Sequence, residues 1–274
     1  EQQVITEIQR EQDIRKNYNL IIKEERMKAI ITDLDRTLLH TDKSVSEHTI
    51  AVLKKCHDHG ILIMAASARP LRDILIYNDL IGFDAITATN GAVVSLPQNL
   101  LEIGISCESG EKILSAILQY PDVFLSIETS KGLYSNRDIP VWEPVIWDKF
   151  PTLPENIILY KILASSQQKP LYEGIETTLT DDVYHTIANN DLIQIMSKEA
   201  TKWNGIKQML SHFGVSPSAA VYFGDDNDDI EPIKNCGLGV AVSNAIPSVL
   251  DIADRIIDSN DVDGVAKFIE ENIL

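Results

Sequence analysis

Cysteine is scarce in this chain of 274 residues, which has three: Cys56, Cys107 and Cys236. Their odd number and wide spacing exclude a disulfide framework, and they lack the paired-Cys or His/Cys spacing of a zinc site. No apolar run approaches the length of a membrane span, and the first residues lack the apolar core of a signal peptide. We therefore expect a cytoplasmic protein with no membrane partner.

Positive charge is also limited, because 24 Lys and Arg face 41 Asp and Glu, for a formal net charge of −17. A protein that binds nucleic acid through a broad basic face needs clustered Lys and Arg for its phosphate contacts. The composition therefore predicts no nucleic-acid partner and favours a small molecule. It does not distinguish a monomer from a homodimer.

The stretch from Ile30 to Leu39 runs from apolar residues directly into two carboxylates, Asp33 and Asp35. This pattern is typical of a buried parallel strand that ends in a polar site. Side chains at i and i+2 lie on the same side of an extended segment, so we expect both carboxylates to face one small volume. A retained proton or a bound cation would relieve their repulsion. A strand that ends in an acidic turn without chemistry remains an alternative at this point.

A second apolar strand, predicted from Ile61 to Ala66, runs into Ser67 and a helix start at Pro70. The amides of such a turn, together with the Ser67 hydroxyl, could hold a phosphate, although Ser67 could equally be a helix cap. Strands that alternate with helices predict a doubly wound α/β sheet, whose ligands bind beyond the carboxyl ends of the strands.

A third apolar strand, predicted from Ala219 to Phe223, ends in four carboxylates within the five residues from Asp225 to Asp229. Such a concentration suits a hard cation with oxygen ligands, and magnesium fits best because it uses few protein carboxylates. The alternating ligands and closing Glu of an EF-hand loop are absent.

Thr201 is predicted to cap the helix before this strand, with Lys202 in its first turn. The helix dipole disfavours a cation there, so the position of Lys202 makes sense if it reaches an anion in the site. A solvated surface lysine is the alternative, and Lys198 is a nearby candidate for the same role.

The chain is expected to divide into a core of residues 27–92 and 197–274 and an inserted α+β segment of residues 93–196. Residues 1–26 are polar and precede Met27, which resembles a natural start, and we expect this extension to have no catalytic role. Within the insert, Trp142 and Trp147 could bind a sugar or a cofactor ring, but packing is the favoured interpretation.

The combined motifs resemble the haloacid dehalogenase (HAD) superfamily and, more narrowly, its Cof-type (subfamily IIB) phosphatases. The segments that carry the resemblance are DLDRTLL, ASARP, TNGA, KWNGI, GDDNDDIEP, AVSNA and DSNDVDGV. The resemblance spans residues 27–274 and implies a Rossmann-like parallel-sheet core with an inserted α+β cap domain.

The resemblance implies a role for each motif residue. Asp33 would be the nucleophile that becomes an aspartyl-phosphate, and Asp35 the general acid and then base. Ser67 and Lys202 would hold the transferring phosphoryl group. The implied magnesium ligands are Asp33, the backbone carbonyl of Asp35, Asp225 and Asp229, the last as support or through water. Further residues expected near the substrate are Arg36, Arg69, Asn90 and Asn244.

The implied function is magnesium-dependent hydrolysis of small phosphate monoesters, such as sugar phosphates or phosphorylated cofactors. A sugar phosphomutase and a non-catalytic phosphate-binding or signalling module are the alternatives. Four departures from the family pattern bear on substrate preference: Arg36 and Trp203 stand where Gly is usual, Ala68 where Gly is common, and Asp228 where Asn is usual.

Overall fold

A computed structural model describes residues 27–166, 171–188 and 192–274, so the predicted extension of residues 1–26 lies outside the described residues. The strands in these ranges are β1 (Ala29–Thr32), β2 (Leu62–Ala66), β3 (Ala85–Ala88), β4 (Val93–Leu96), β5 (Asn99–Glu102), β6 (Phe124–Thr129), β7 (Gly132–Ser135), β8 (Val145–Ile146), β9 (Leu159–Ser165), β10 (Val183–Ala188), β11 (Leu192–Ser197), β12 (Ala220–Gly224), β13 (Leu238–Val242) and β14 (Arg255–Ile257). The helices are α1 (Glu47–Asp58), α2 (Leu71–Ile81), α3 (Cys107–Ile117), α4 (Tyr172–Ile175), α5 (Lys202–His212), α6 (Ile230–Asn235), α7 (Pro247–Leu250) and α8 (Gly264–Asn272). No helix within the described ranges is long and apolar enough to cross a membrane.

An eight-stranded sheet forms the core, with the strand order β14-β13-β12-β1-β2-β3-β4-β5. The strands from β14 to β3 in this order run parallel. Strand β1 lies between β12 and β2, and all four of its residues are buried, as expected for a strand covered on both faces. The carboxyl ends of β1, β2 and β12 therefore lie side by side at one edge of the sheet.

Helix α1 shows how local sequence signals determine an element of the core. The side chain of Ser46 accepts a hydrogen bond from the backbone N–H of Thr49, which caps the helix start. Val52, Leu53 and Cys56 recur at helical spacing and are buried. The helix ends just before Gly60, whose φ of +73° is a conformation that glycine adopts without steric cost.

The core sheet extends beyond residue 92, where the sequence predicted that it would end. Strands β4 and β5 continue the eight-stranded sheet as an antiparallel pair, so residues 93–102 belong to that sheet. A tight turn at Asn90 and Gly91 reverses the chain, and Val93 and Val94 are buried against the core. Their apolar pattern does not differ from that of the insert, so the pattern could not predict that these strands extend the core sheet. At the other end, β11 continues one residue past the expected boundary, to Ser197.

The inserted segment forms a second sheet of six strands, with the order β10-β11-β9-β6-β7-β8. Its pairs are antiparallel except for β7 and β8. Buried residues of α3, among them Ile113 and Ile117, form a separate apolar cluster with Leu125 and Ile162 of this sheet. The predicted fold class, a doubly wound parallel-sheet core with an inserted α+β domain, is confirmed.

Candidate active site

Asp33 follows β1 directly and is buried, with 5% of its surface exposed. Its backbone N–H donates to the carbonyl of Phe223 in β12 (2.9 Å), so β1 still lies against β12 at this residue. Asp33 Oδ1 accepts a hydrogen bond from Lys202 Nζ at 2.7 Å. The two residues, 169 positions apart in the chain, are therefore in direct contact at the edge of the sheet.

Helix α5 places Lys202 in the site. The Thr201 side chain accepts a hydrogen bond from the Asn204 N–H and caps the helix, as predicted, and Lys202 is its first residue. The helix start lies against Gly91, where a Cβ atom would be only 2.1 Å from the Thr201 carbonyl oxygen. Lys202 is 3% exposed, whereas Lys198 is exposed, so Lys202 is the cation of this site.

Asp229 is fully buried and accepts four hydrogen bonds. Its Oδ1 accepts from Lys202 Nζ (2.7 Å) and the Tyr222 hydroxyl (2.5 Å), and its Oδ2 accepts from the backbone amides of Asp225 (2.8 Å) and Asp226 (3.0 Å). A carboxylate offers about four lone-pair directions. All four directions of Asp229 are occupied by these hydrogen bonds. Asp229 therefore holds Lys202 and the loop after β12 in position.

The site contains more negative than positive charge. Lys202 lies within 3.3 Å of the carboxylates of Asp33, Asp228 and Asp229, and Asp225 lies beside them. Burial, only partly offset by Lys202, raises the pKa of Asp33 well above its usual range. Burial and the neighbouring Asp229 carboxylate raise the pKa of Asp225 to about 7.

The same cluster could hold a metal ion. One carboxylate oxygen from each of Asp33, Asp225 and Asp229 lies within 4.8 Å of the other two. Because hydrogen bonds occupy the lone pairs of Asp229, Asp33 and Asp225 are the carboxylates of this cluster that can bind a hard divalent cation, whose charge would balance the excess of carboxylates. The residues present therefore fit magnesium.

Asp35 does not join this cluster, contrary to the expectation that both carboxylates face one small volume. Its side chain binds the guanidinium of Arg69 through two hydrogen bonds (2.6 and 2.7 Å) and the ammonium of Lys43 (2.6 Å). Strand β1 ends at Thr32, so the alternation of side chains along an extended strand does not extend to Asp35. Although burial opposes the effect, the hydrogen bonds from Arg69 and Lys43 lower the pKa of Asp35 to about 2.

Arg36 and Asn244 bind each other. The Arg36 guanidinium donates to the Asn244 carbonyl (3.2 Å), and the Asn244 amide donates to the Arg36 carbonyl (2.8 Å). Arg36 adopts a φ of +60°, which explains why glycine suits this position. The pair links the segment after β1 to the segment after β13, and its role in substrate binding stays a prediction.

Hydrogen bonds join the turn after β2 to the turn after β3. Ser67 is buried, its Oγ accepts a hydrogen bond from the Arg69 N–H (3.2 Å), and its carbonyl accepts from the Asn90 N–H (3.1 Å). The Arg69 carbonyl accepts from the Thr89 N–H (2.8 Å). Both Thr89 and Asn90 have a φ above +50°, which is unfavourable for a β-branched residue such as Thr89. Strain of this kind is common at functional sites.

Lys161 is a residue that sequence reasoning missed. It lies on β9, and its Nζ donates to Asn90 Oδ1 at 2.6 Å. Asn90 in turn donates to Asp228 Oδ2 (2.6 Å), which lies 3.3 Å from Lys202. A sequence signal for this role was available. Lys161 is the one charged residue of β9, and the alternation of side chains places it on the same face of the strand as Leu163. Asn90, predicted near the substrate, thus bridges the insert and the acidic cluster.

A cavity of about 600 Å³ lies between the two sheets, next to the turn after β2. Trp142 lines it and is 46% exposed, so this ring faces the cavity, although packing was the favoured interpretation. Trp147 does pack, edge to face against Tyr134 with 5.8 Å between ring centroids. Two tryptophans five residues apart therefore differ in their surroundings, which spacing alone could not predict.

Thr37 is a second residue whose contact the sequence did not predict. Its hydroxyl is buried and donates to Asp225 Oδ1 at 2.9 Å. The bond joins the turn after β1 to the loop after β12, and it fixes the orientation of a carboxylate in the acidic cluster. Thr37 belongs to the DLDRTLL motif, so its place in the motif was the available signal.

The chain is similar to known proteins both in sequence and in structure. A 5-amino-6-(5-phospho-D-ribitylamino)uracil phosphatase of Bacillus subtilis is 26% identical over 262 residues, covering 88% of this chain and 96% of the relative. A phosphoglycolate phosphatase of Methanopyrus kandleri is 26% identical over 250 residues, covering 88% and 95%. The solved structure of TM0651 from Thermotoga maritima matches with a TM-score of 0.79 at 23% identity, covering 89% and 97%, and so shares the fold.

The assignment of the chain to a family rests on a match that spans most of its length. Residues 30–269 match the haloacid dehalogenase-like hydrolases. This range contains all the motifs that suggested the resemblance, and the family assignment made from those motifs is confirmed. The chain belongs to the haloacid dehalogenase-like hydrolase family.

Proposed function

We propose that the protein is a magnesium-dependent phosphatase that hydrolyses small phosphate monoesters, such as sugar phosphates or phosphorylated cofactors, through phosphorylation of Asp33. The observation that carries the proposal is the buried contact between Asp33 and Lys202 beside carboxylates spaced for a metal ion. The names of the relatives from Bacillus and Methanopyrus, both phosphatases of phosphate monoesters, support it.

Asp33 is the nucleophile of the first step. Its carboxylate oxygen forms a bond to phosphorus, the bond from phosphorus to the ester oxygen breaks, and that oxygen takes a proton from Asp35. In the second step water attacks phosphorus and gives a proton to Asp35, and the bond to Asp33 breaks to release phosphate. A carboxylate nucleophile divides a difficult hydrolysis into two easier displacements.

Positive charge offsets the repulsion between an anionic nucleophile and an anionic ester. Lys202 and the turn at Ser67 hold the phosphoryl oxygens, and Asp229 keeps the Lys202 ammonium in position. Asp33, Asp225 and the backbone carbonyl of Asp35 would hold magnesium, which would supply further charge neutralisation.

Asp35 must change partners during this cycle. With a pKa of about 2 the carboxyl is ionised, so it is ready to accept a proton but must leave Arg69 and Lys43 before it can hold one to donate. Both cations line the cavity. An anionic substrate that enters the cavity therefore competes with Asp35 for them.

The expected partner is a small phosphorylated metabolite. A net charge of −17 opposes the binding of nucleic acid, and the positive charge that an ester needs is local to this site. We also propose a cytoplasmic location, in keeping with the scarcity of cysteine.

Trapping the intermediate tests the mechanism. With an aryl phosphate, whose leaving oxygen departs without a proton, Asp35→Asn is expected to accept a phosphoryl group on Asp33 and lose it slowly, because the base for the second step is missing. Mass spectrometry of the intact variant after substrate addition should then show one added phosphoryl group, and peptide mapping should assign it to Asp33. Attachment at another residue, or an equal yield of adduct when Asp33→Asn is combined with Asp35→Asn, would contradict the proposal.

A further inference from the structure

The cavity between the sheets has a charge pattern that the phosphoryl site does not explain. Its wall carries four cations, Lys43, Arg69, Arg72 and Lys161, against the carboxylates of Asp73 and Glu128. Neither Asp33 nor Lys202 is part of this wall. In a chain with a net charge of −17, such a local excess of positive charge indicates that an anion binds there.

Three of these cations already have carboxylate partners. Arg69 and Lys43 bind Asp35, and Arg72 binds both oxygens of Glu128 (2.5 and 2.9 Å). Their charge is therefore largely compensated within the protein.

Lys161 differs, because its ammonium contacts neutral oxygens. It donates to Asn90 Oδ1 (2.6 Å), to Gln194 Oε1 (3.1 Å) and, over a long 3.5 Å, to the carbonyl of Ala68. Among residues 27–166, 171–188 and 192–274, its nitrogen forms no ion pair within 4.0 Å. Glu128, its partner across the strands, is engaged by Arg72.

The burial of this cation is unfavourable without an anion. Only 5% of Lys161 is exposed, and the loss of water, which the carboxylates of Asp228 and Glu128 offset only in part, lowers its pKa to about 8. A buried charge that lacks an opposite charge costs free energy, which a ligand of opposite sign recovers. The long contact to Ala68 leaves one N–H of the ammonium weakly bonded and available to such a ligand.

We propose that Lys161 binds a second anionic group on the leaving-group side of the substrate, so that the preferred esters carry a carboxylate or a second phosphate besides the phosphoryl group that is cleaved. The proposal rests on the proposed phosphatase function. Asn90 and Asp228 lie between the two ammonium groups of Lys161 and Lys202, so the second anion and the phosphoryl group occupy separate positions.

Matched pairs of esters test this assignment. In each pair one ester has the second anion and the other lacks it: 2-phosphoglycolate and ethyl phosphate, 3-phosphoglycerate and glycerol 3-phosphate, glucose 1,6-bisphosphate and glucose 6-phosphate. The enzymes are wild type, Lys161→Met and Lys131→Met, the last a control because Lys131 is an exposed lysine in the turn between β6 and β7, outside the cavity. Phosphate release gives kcat/KM for each ester.

Wild type and Lys131→Met should prefer the anionic member of at least one pair. Lys161→Met should lose about 10- to 100-fold in kcat/KM for that member, as expected for a charge-assisted hydrogen bond, and less than about threefold for its neutral partner. Lys161→Arg should restore part of the preference. The pair that responds identifies the second anion as a carboxylate or a phosphate.

Met fills the same buried position without the cost of burying a charge, but Asn90 and Gln194 lose a donor, so the neutral ester of each pair measures any loss of folded enzyme. An equal loss for both members of every pair would show that Lys161 only joins the two sheets, and would overturn the proposal. So would a wild-type enzyme that hydrolyses the neutral esters in an Asp33-dependent manner without preferring the anionic ones, an outcome that leaves the phosphatase function intact. Absence of hydrolysis of all six esters would count against both.

Discussion

The guanidinium of Arg69 holds the carboxylate of Asp35 through two hydrogen bonds of 2.6 and 2.7 Å. Asp35 is the carboxyl that the mechanism assigns to proton transfer, and this pair keeps it ionised in the absence of substrate. The contact joins the ends of β1 and β2. It therefore has a measurable effect on stability as well as on the chemistry.

Arg69→Met should make stability less dependent on pH in the acid range. The pKa of Asp35 is lowered from 3.8 to about 2, so its pairing stabilises the fold above pH 4 and this contribution disappears as the pH falls towards 2. Because 36% of the carboxyl side chain is exposed, solvent screening limits the loss in the variant at pH 7 to about 1 kcal/mol. Urea unfolding of wild type and Arg69→Met from pH 7 to pH 2 measures the two free energies of unfolding.

Arg36→Met is the matched control for this series, since Arg36 donates to the neutral carbonyl of Asn244. Its effect on the free energy of unfolding should stay constant with pH. A difference between wild type and Arg69→Met that is equally constant would show that the ion pair with Asp35 does not contribute as described.

Asp225 should give wild-type stability the opposite pH dependence when the metal is removed with EDTA, and Asp225→Asn should abolish that dependence. Burial raises the pKa of Asp225 from 3.8 to about 7, so the folded state binds an extra proton between these values and wild-type stability falls as the pH rises through them. The variant lacks this loss and should be the more stable protein at pH 8, by up to about 4 kcal/mol.

The measurement for Asp225 is urea unfolding in EDTA at pH 5 and pH 8, repeated with magnesium. Magnesium should stabilise wild type more than Asp225→Asn at pH 8, because the variant has lost a ligand. If the variant were the less stable protein at pH 8 in EDTA, the carboxylate cluster would not be a site of unbalanced charge.

Gly91→Ala should lower activity because it displaces Lys202. A Cβ atom at Gly91 would be 2.1 Å from the carbonyl of Thr201, so the start of α5 must shift and take Lys202 with it. We expect kcat/KM to fall at least tenfold, since small displacements of positioning groups cost about 100-fold. Steady-state kinetics with any active ester measures the effect.

Gly132→Ala controls for backbone strain at Gly91, because Gly132 has a similar φ (+116° against +101°) but no atom within 4 Å of a Cβ. It should lose about 1 kcal/mol of stability and keep its activity. Equal kinetic losses in both variants would mean that strain, and not the displacement of α5, explains the effect at Gly91.

Much of the site could be predicted from the sequence, because Asp33 and Asp225 follow apolar strands whose carboxyl ends share one edge of a parallel sheet. Lys202 could be predicted from its unfavourable place in a first helical turn. The orientation of Asp35 could not, since it depends on Arg69, which is distant in sequence. Lys161 was missed for a similar reason: its role arises from the packing of the insert over the core, which strand patterns do not describe.

The most direct measurement is phosphate release from a panel of phosphate monoesters by wild type and Asp33→Asn, each with magnesium and with EDTA. The account predicts release by wild type that needs magnesium and no bisphosphate activator, and a decrease of at least about 10³-fold in Asp33→Asn. Release that persists in EDTA or in Asp33→Asn would contradict the proposed chemistry. Turnover only with a bisphosphate activator and without net phosphate release would support a phosphomutase.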